Sequence, residues 1–157
     1  MNSKTIRAMT GATATQSLSA SDTALIVVDI QNEYYASNDF RGQMVIPDGE
    51  KVLKSSQKLV SYAHHIGLPV YFVRHLGPKD SPLFAEGSVY AQFHKDLQPS
   101  DQDTIITKTT PSSFVGTDLD AQLKKKGIKT VIVIGLMTHM CISSTARDAV
   151  PLGYSRS

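Results

Sequence analysis

Thr130-Val131-Ile132-Val133-Ile134-Gly135-Leu136-Met137-Thr138-His139-Met140-Cys141 is the stretch that decides the fold. Its first five residues are apolar or β-branched without alternation, the pattern of a strand covered on both faces. The chain then turns at Gly135, and a helix is predicted to begin near Cys141 and run to about Leu152, with Gly153 after it. Three similar runs precede it: Ala24-Leu25-Ile26-Val27-Val28, Pro69-Val70-Tyr71-Phe72-Val73 and Thr104-Ile105-Ile106-Thr107.

Helical patterns separate these runs. Residues 49–66 place Val52, Leu53, Leu59, Val60 and Ala63 on one stripe, with Gly67 as a stop. Residues 88–97 space Val89, Phe93 and Leu97 four apart, and residues 118–126 follow Thr117 as N-cap, carry Leu119 and Leu123, and end at Gly127. Strand and helix alternate, so the fold class is α/β: a three-layer α/β/α, Rossmann-like parallel sheet. The alternation calls for a further strand after the last helix. Residues 154–157 offer none, so the sheet is expected to lack its C-terminal strand or strands, leaving the fourth run as an unpaired apolar edge. That edge is a motive for a homo-oligomer, a dimer or higher. Residues 1–20, polar and rich in Ser, Thr and Ala, are read as an N-terminal arm before a single domain over 21–157.

Composition excludes several classes. With 16 basic and 14 acidic side chains the formal charge is +2, which gives no electrostatic reason to expect nucleic acid or an anionic membrane as partner. No apolar run reaches the roughly 18 residues that span a bilayer, and the first twenty residues lack the apolar core of a signal peptide. Cys141 is the one cysteine, so no internal disulfide is possible; a cytoplasmic location is expected.

Ligands of open parallel sheets bind outside the carboxyl ends of the strands, so the residues just after each strand carry the functional question. Asp29 follows the first strand and, alone, reads as an N-cap or turn residue. Lys108 ends the third and, alone, reads as a snorkelling Lys. Cys141, at a helix start, would have its thiol pKa lowered by the helix dipole and backbone N–H groups nearby to hold an oxyanion; alone it reads as a small buried hydrophobe. His75 and His139 follow strands and are better pocket candidates than His64, His65 or His94. No zinc-site spacing is present, and the absence of Gly from residues 30–40 argues against a dinucleotide-binding loop.

Read together, the segments Ala24–Asn32, Lys108–Thr117 and Gly135–Cys141, with Ser143–Ala149 continuing the last, resemble the isochorismatase-like hydrolases over roughly residues 20–154. The resemblance implies a catalytic triad of Asp29, Lys108 and Cys141. It also implies a cis Leu136–Met137 peptide and an oxyanion hole from the backbone N–H groups of Met137 and Cys141. Gln31, Tyr34, His75, Phe114, Thr138 and His139 are the expected substrate-binding residues; Phe40 and Phe114 serve equally well as core. Arg74-His75-Leu76-Gly77 departs from the Asp-Trp-His-type segment of the zinc-dependent nicotinamidases, so no metal and no cofactor are expected. A cysteine at the nucleophile position implies hydrolysis of a small amide or related acyl compound through a thioester, with a small, planar or aromatic acyl group. Two alternatives stand: a vinyl-ether hydrolase with Asp29 as general acid, and a non-catalytic binding module if the short C-terminus disables the site.

Overall fold

The computed structural model describes residues 18–156. Most of the expected arm, residues 1–17, lies outside the described residues. In chain order the elements are β1 (Thr23–Val28), α1 (Gly49–His65), β2 (Val70–His75), β3 (Thr104–Lys108), α2 (Leu119–Lys125), β4 (Thr130–Gly135), α3 (Ser143–Ala149) and β5 (Ser155–Arg156). The sheet has the order β3-β2-β1-β4-β5 and is parallel throughout.

The side-chain period of two explains the layers. Along β1, Leu25 and Val27 join Leu53, Val60 and Ala63 of α1 in one apolar cluster; Ala24, Ile26 and Val28 join Leu119 and Leu123 of α2 and Ala149 of α3 in the other. Each fully buried Val, Leu or Ile among them contributes about 1.5–3 kcal/mol. Both faces are thereby covered, and the unalternating apolar run of β1 follows from it.

Three expectations need correction. Residues 88–97 do not form a helix: only Val89–Ala91 make a single 3₁₀ turn. The backbone here bonds the rim segment after β1 instead of itself, with Asn32 N–H donating to Gln92 O at 2.9 Å and His94 N–H to Ile30 O at 2.9 Å. Phe93 and Leu97 still reach the core. A strand does follow the last helix, although it is brief: Ser155 and Arg156 pair with Thr130 and Val131 of β4. From Ile132 onward β4 has no strand partner on that side among the described residues. Leu59, expected on the buried stripe, is exposed; with Leu18, Tyr62 and Ile66 it borders an apolar groove of about 310 Å³ beside Ile132. No helix of the described residues is long and apolar enough to cross a membrane.

The chain runs from β1 outward to β2 and β3, then returns to the other side of β1 as β4. The point where the order reverses lies between β1 and β4, whose carboxyl ends are Asp29 and the Gly135–Cys141 segment. In sheets of this kind such a point is where a crevice opens.

Candidate active site

β1 and β4 approach each other so closely at this rim that a Cβ on Gly135 would lie 1.9 Å from the carbonyl oxygen of Val28. Gly135 has φ 125, which only glycine adopts without strain. The Leu136–Met137 peptide is cis, and the chain then winds through one π-helical turn, Thr138–Ile142, before α3. The expected helix therefore begins three residues earlier than read from the sequence, and Cys141 lies inside its first turn rather than at its tip.

Asp29 sits in the left-handed region with φ 54, uncommon for a residue other than glycine and a form of strain that clusters at functional sites. Its N–H donates to Val73 O at 2.9 Å, which turns the carboxylate inward, fully buried. Oδ2 lies 2.8 Å from Nζ of Lys108, itself almost without exposure. Lys108 comes from β3, two strands away, and its long stem spans the end of β2 to arrive there. Its Nζ also lies 3.3 Å from Cys141 Sγ, 3.1 Å from Thr110 O and 3.2 Å from His75 Nδ1. A buried lysine is rare unless paired, and this one is surrounded by acceptors. Ser113 and Thr145 tie the Lys108 loop to α3: Ser113 N–H donates to Thr145 Oγ1, whose hydroxyl donates to Ser113 Oγ, each at 3.0 Å.

Electrostatics here run against the helix-dipole expectation. Burial pushes the Cys141 thiol up to about 11, the charge and hydrogen bonding of Asp29 push the same way, and Lys108 offsets only part. Burial also raises the Asp29 carboxyl, against the pull of Lys108. Burial and the adjacent carboxylate thus raise the thiol, the direction opposite to the lowering expected of a cysteine at a helix tip. His75 is pushed down to about 4 by burial and by Lys108.

The remaining expected residues divide. Tyr34 is buried, set edge-on to Phe84 at 5.4 Å, and its phenol is held well above its usual range by burial and then by Asp29 and Cys141. His75 joins the same group through Lys108. Gln31 does not face a pocket: its Nε2 donates to His75 O at 2.9 Å and Ala91 O at 2.7 Å, and its Oε1 accepts from His75 N–H at 2.8 Å. A fully buried amide so engaged is a bracket between strand ends. Phe114 stacks on Tyr154 at 5.8 Å against the α2–α3 core, which takes it out of the expected pocket wall. Thr138 and His139 are exposed on the π turn, and neither side chain hydrogen-bonds to Asp29, Lys108 or Cys141. Phe40 lies edge-on to Tyr90 at 5.8 Å, half-buried. The Met137 N–H, expected to hold an oxyanion, has no backbone partner among the described residues.

Glu33 escaped the sequence reading. Almost wholly buried, it accepts Gln43 N–H on Oε1 at 2.8 Å and Phe84 N–H on Oε2 at 3.0 Å, pinning two loops to the rim. In the sequence it stands in the polar run Gln31-Asn32-Glu33, which carries no local sign of burial. Among the described residues no cluster of three His, Cys, Asp or Glu side chains is placed to hold a metal ion.

Against this geometry, the family model described as the isochorismatase domain matches residues 23–155. The chain belongs to the isochorismatase family. Among relatives, it is 37% identical to the isochorismatase family protein YddQ of Bacillus subtilis, over 84% of this chain and 72% of that one. It is 30% identical to the ureidoacrylate amidohydrolase RutB of Acinetobacter baylyi, over 87% of this chain and 68% of the relative. The crystal structure of N-carbamoylsarcosine amidase from Thermoplasma acidophilum superposes with a TM-score of 0.78 at 30% identity, covering 86% of this chain and 79% of the other. The three-layer parallel fold of this isochorismatase-family chain is that of its solved relatives, and those relatives include amidohydrolases.

Proposed function

We propose that this isochorismatase-family protein is a cysteine hydrolase that cleaves a small amide or related acyl C–N bond through a thioester on Cys141. The observation that carries the reading is one ammonium group touching both a buried carboxylate and the sole thiol: Lys108 Nζ at 2.8 Å from Asp29 Oδ2 and 3.3 Å from Cys141 Sγ. Transfer of the Cys141 proton to Asp29 leaves the total charge of the three groups unchanged, because the negative charge moves from oxygen to sulfur while Lys108 stays beside both. A thiol that is weakly acidic at rest is thereby activated only when the proton has somewhere to go.

The steps balance. Asp29 takes the thiol proton and Sγ bonds to the carbonyl carbon. The oxygen's new charge is held by the backbone N–H groups of Met137 and Cys141; such donors are each worth on the order of 10²–10³ in rate. The C–N bond breaks as Asp29 returns the proton to the departing amine. Water, losing a proton to Asp29, then attacks the thioester; the acid leaves and Sγ takes that proton back. Two relatives named for acting on a ureido and a carbamoyl compound support C–N cleavage as the reaction.

One observation favours a second reading. Asp29 and Cys141 are both raised toward their protonated forms. A protonated Asp29 can donate to the carbon of a vinyl ether, after which water adds and the hemiketal falls apart to a ketone and an alcohol, with Cys141 a bystander. Intact-protein mass spectrometry during turnover of small amides and ureas separates the two. The thioester reading expects an acyl adduct on Cys141 that is absent from Cys141→Ala; full turnover by Cys141→Ala would refute it.

A further inference from the structure

His75 is held more firmly than a residue that merely fills space. Its backbone is bonded on both sides by the Gln31 amide. Its ring lies 5.1 Å from the ring of Phe84 at a tilt of 39°. Phe84 is in the left-handed backbone region, φ 51, where a side chain other than glycine's is strained, and its N–H is fastened by the buried carboxylate of Glu33. On the other side, Nδ1 lies 3.2 Å from Lys108 Nζ. An ammonium group has donors and no lone pair, so a hydrogen bond between it and Nδ1 uses the Nδ1 lone pair and puts the ring proton on Nε2. Among the described residues Nε2 has no hydrogen-bond partner. The result is a neutral ring with one free N–H donor, oriented from both sides, backed by the positive charge of Lys108 and placed on the rim between Asp29 and β3.

We infer that His75 is a specificity-determining residue whose Nε2–H receives an acceptor oxygen of the substrate, selecting amides and ureas that carry a carboxylate or second carbonyl near the bond to be cut. This deepens the cysteine-hydrolase reading and rests on it for the location of the scissile bond. Lys108 then has two duties: it balances the Asp29–Cys141 pair, and through Nδ1 it keeps the proton of His75 on the nitrogen that faces substrate. Glu33 is a positioning residue for the same ring, through Phe84. The preference arises because an anionic or carbonyl oxygen gains a hydrogen bond to a donor already oriented, whereas an apolar group in its place leaves that donor desolvated and unpaired.

The test has two arms on the full chain. Long-range ¹⁵N–¹H correlation spectra at pH 7.5 read the tautomer of His75. The expected pattern is a protonated Nε2 with an unprotonated Nδ1, and movement of the Nε2 signal when N-carbamoylglycine, succinamate or oxamate is added to Cys141→Ala. The second arm compares kcat/KM for N-carbamoylglycine and for N-propylurea, which replaces the carboxylate by an apolar end. Wild type is expected to favour the former. His75→Phe, which keeps a ring against Phe84, is expected to shrink that ratio by about 10- to 100-fold, mainly through KM. His75→Asn, which retains both an acceptor and a donor, is expected to recover part of it. A proton on Nδ1, a Nε2 signal unmoved by all three carboxylates, or a discrimination ratio unchanged in His75→Phe overturns the inference. Failure of the hydrolase reading looks different: no adduct and no turnover in wild type, with the Nε2 signal still moving on addition of carboxylate.

Discussion

Asp29 and Glu33 are two buried carboxylates four residues apart, and they are held in opposite ways. Glu33 accepts a directed backbone N–H on each oxygen, from Gln43 and from Phe84, and every polar atom of its headgroup is satisfied. Asp29 is held chiefly by the Lys108 ammonium, 2.8 Å from Oδ2, with the Cys141 thiol beside it. A buried carboxylate whose two oxygens are each bonded by a backbone donor serves as a rivet. One held beside an ammonium and a thiol can exchange a proton with a neighbour, and that neighbour is Cys141.

Substitutions can break that contrast. Asp29→Asn keeps the shape and removes the proton acceptor; we expect amide hydrolysis to fall by on the order of 10²–10⁴. Removing the adjacent negative charge also lowers the thiol from about 11, so Cys141 should be alkylated faster by iodoacetamide at pH 8 in this variant than in wild type. Slower alkylation would show that the carboxylate does not face the sulfur. Lys108→Met strands the Asp29 charge and is expected to destabilise the fold by about 3–5 kcal/mol in urea melts. Combining it with Asp29→Asn should recover much of that loss, because the double variant buries no lone charge. Glu33→Gln presents an NH₂ group to one of the two backbone N–H donors and is expected to cost about 1–3 kcal/mol, with no recovery when Asp29→Asn is added.

The same contrast explains what could be read before the fold was seen. The apolar runs place Asp29 and Lys108 because a strand's end is at the rim wherever the strand goes, and Cys141 follows because the turn after β4 leads straight into the next helix. Gln31 and Glu33, two residues apart in the same segment, could not be told from pocket-lining residues by position. Their partners are backbone groups at His75, Phe84 and Ala91, up to some 60 residues distant, and no local pattern announces them. The segment 88–97 departs from its helical spacing for a related reason. Its apolar spacing of four suits a helix, but its backbone donors and acceptors are taken by residues 30–32. A helix start is a local feature of the sequence, whereas the burial beside Asp29 that raises the thiol is made by the fold.

The smallest expected effect concerns pH and separates the two sides of Lys108. His75 ionises near 6.5 in an unfolded chain and near 4 here, so between those values the unfolded chain binds a proton that the folded one refuses. Stability therefore falls as pH drops from about 6.5 towards 4, and His75→Phe should flatten that limb of the curve. Asp29 works with the opposite sign: its raised carboxyl holds a proton longer in the folded state, so its contribution is full below the unfolded carboxyl pKa and is lost as pH rises through the folded one. Asp29→Asn should leave the His75 limb in place and remove the rise in stability that Asp29 contributes towards low pH. If both substitutions flatten the same limb, the two groups titrate as one unit through Lys108, and the division of its roles between Cys141 and His75 fails.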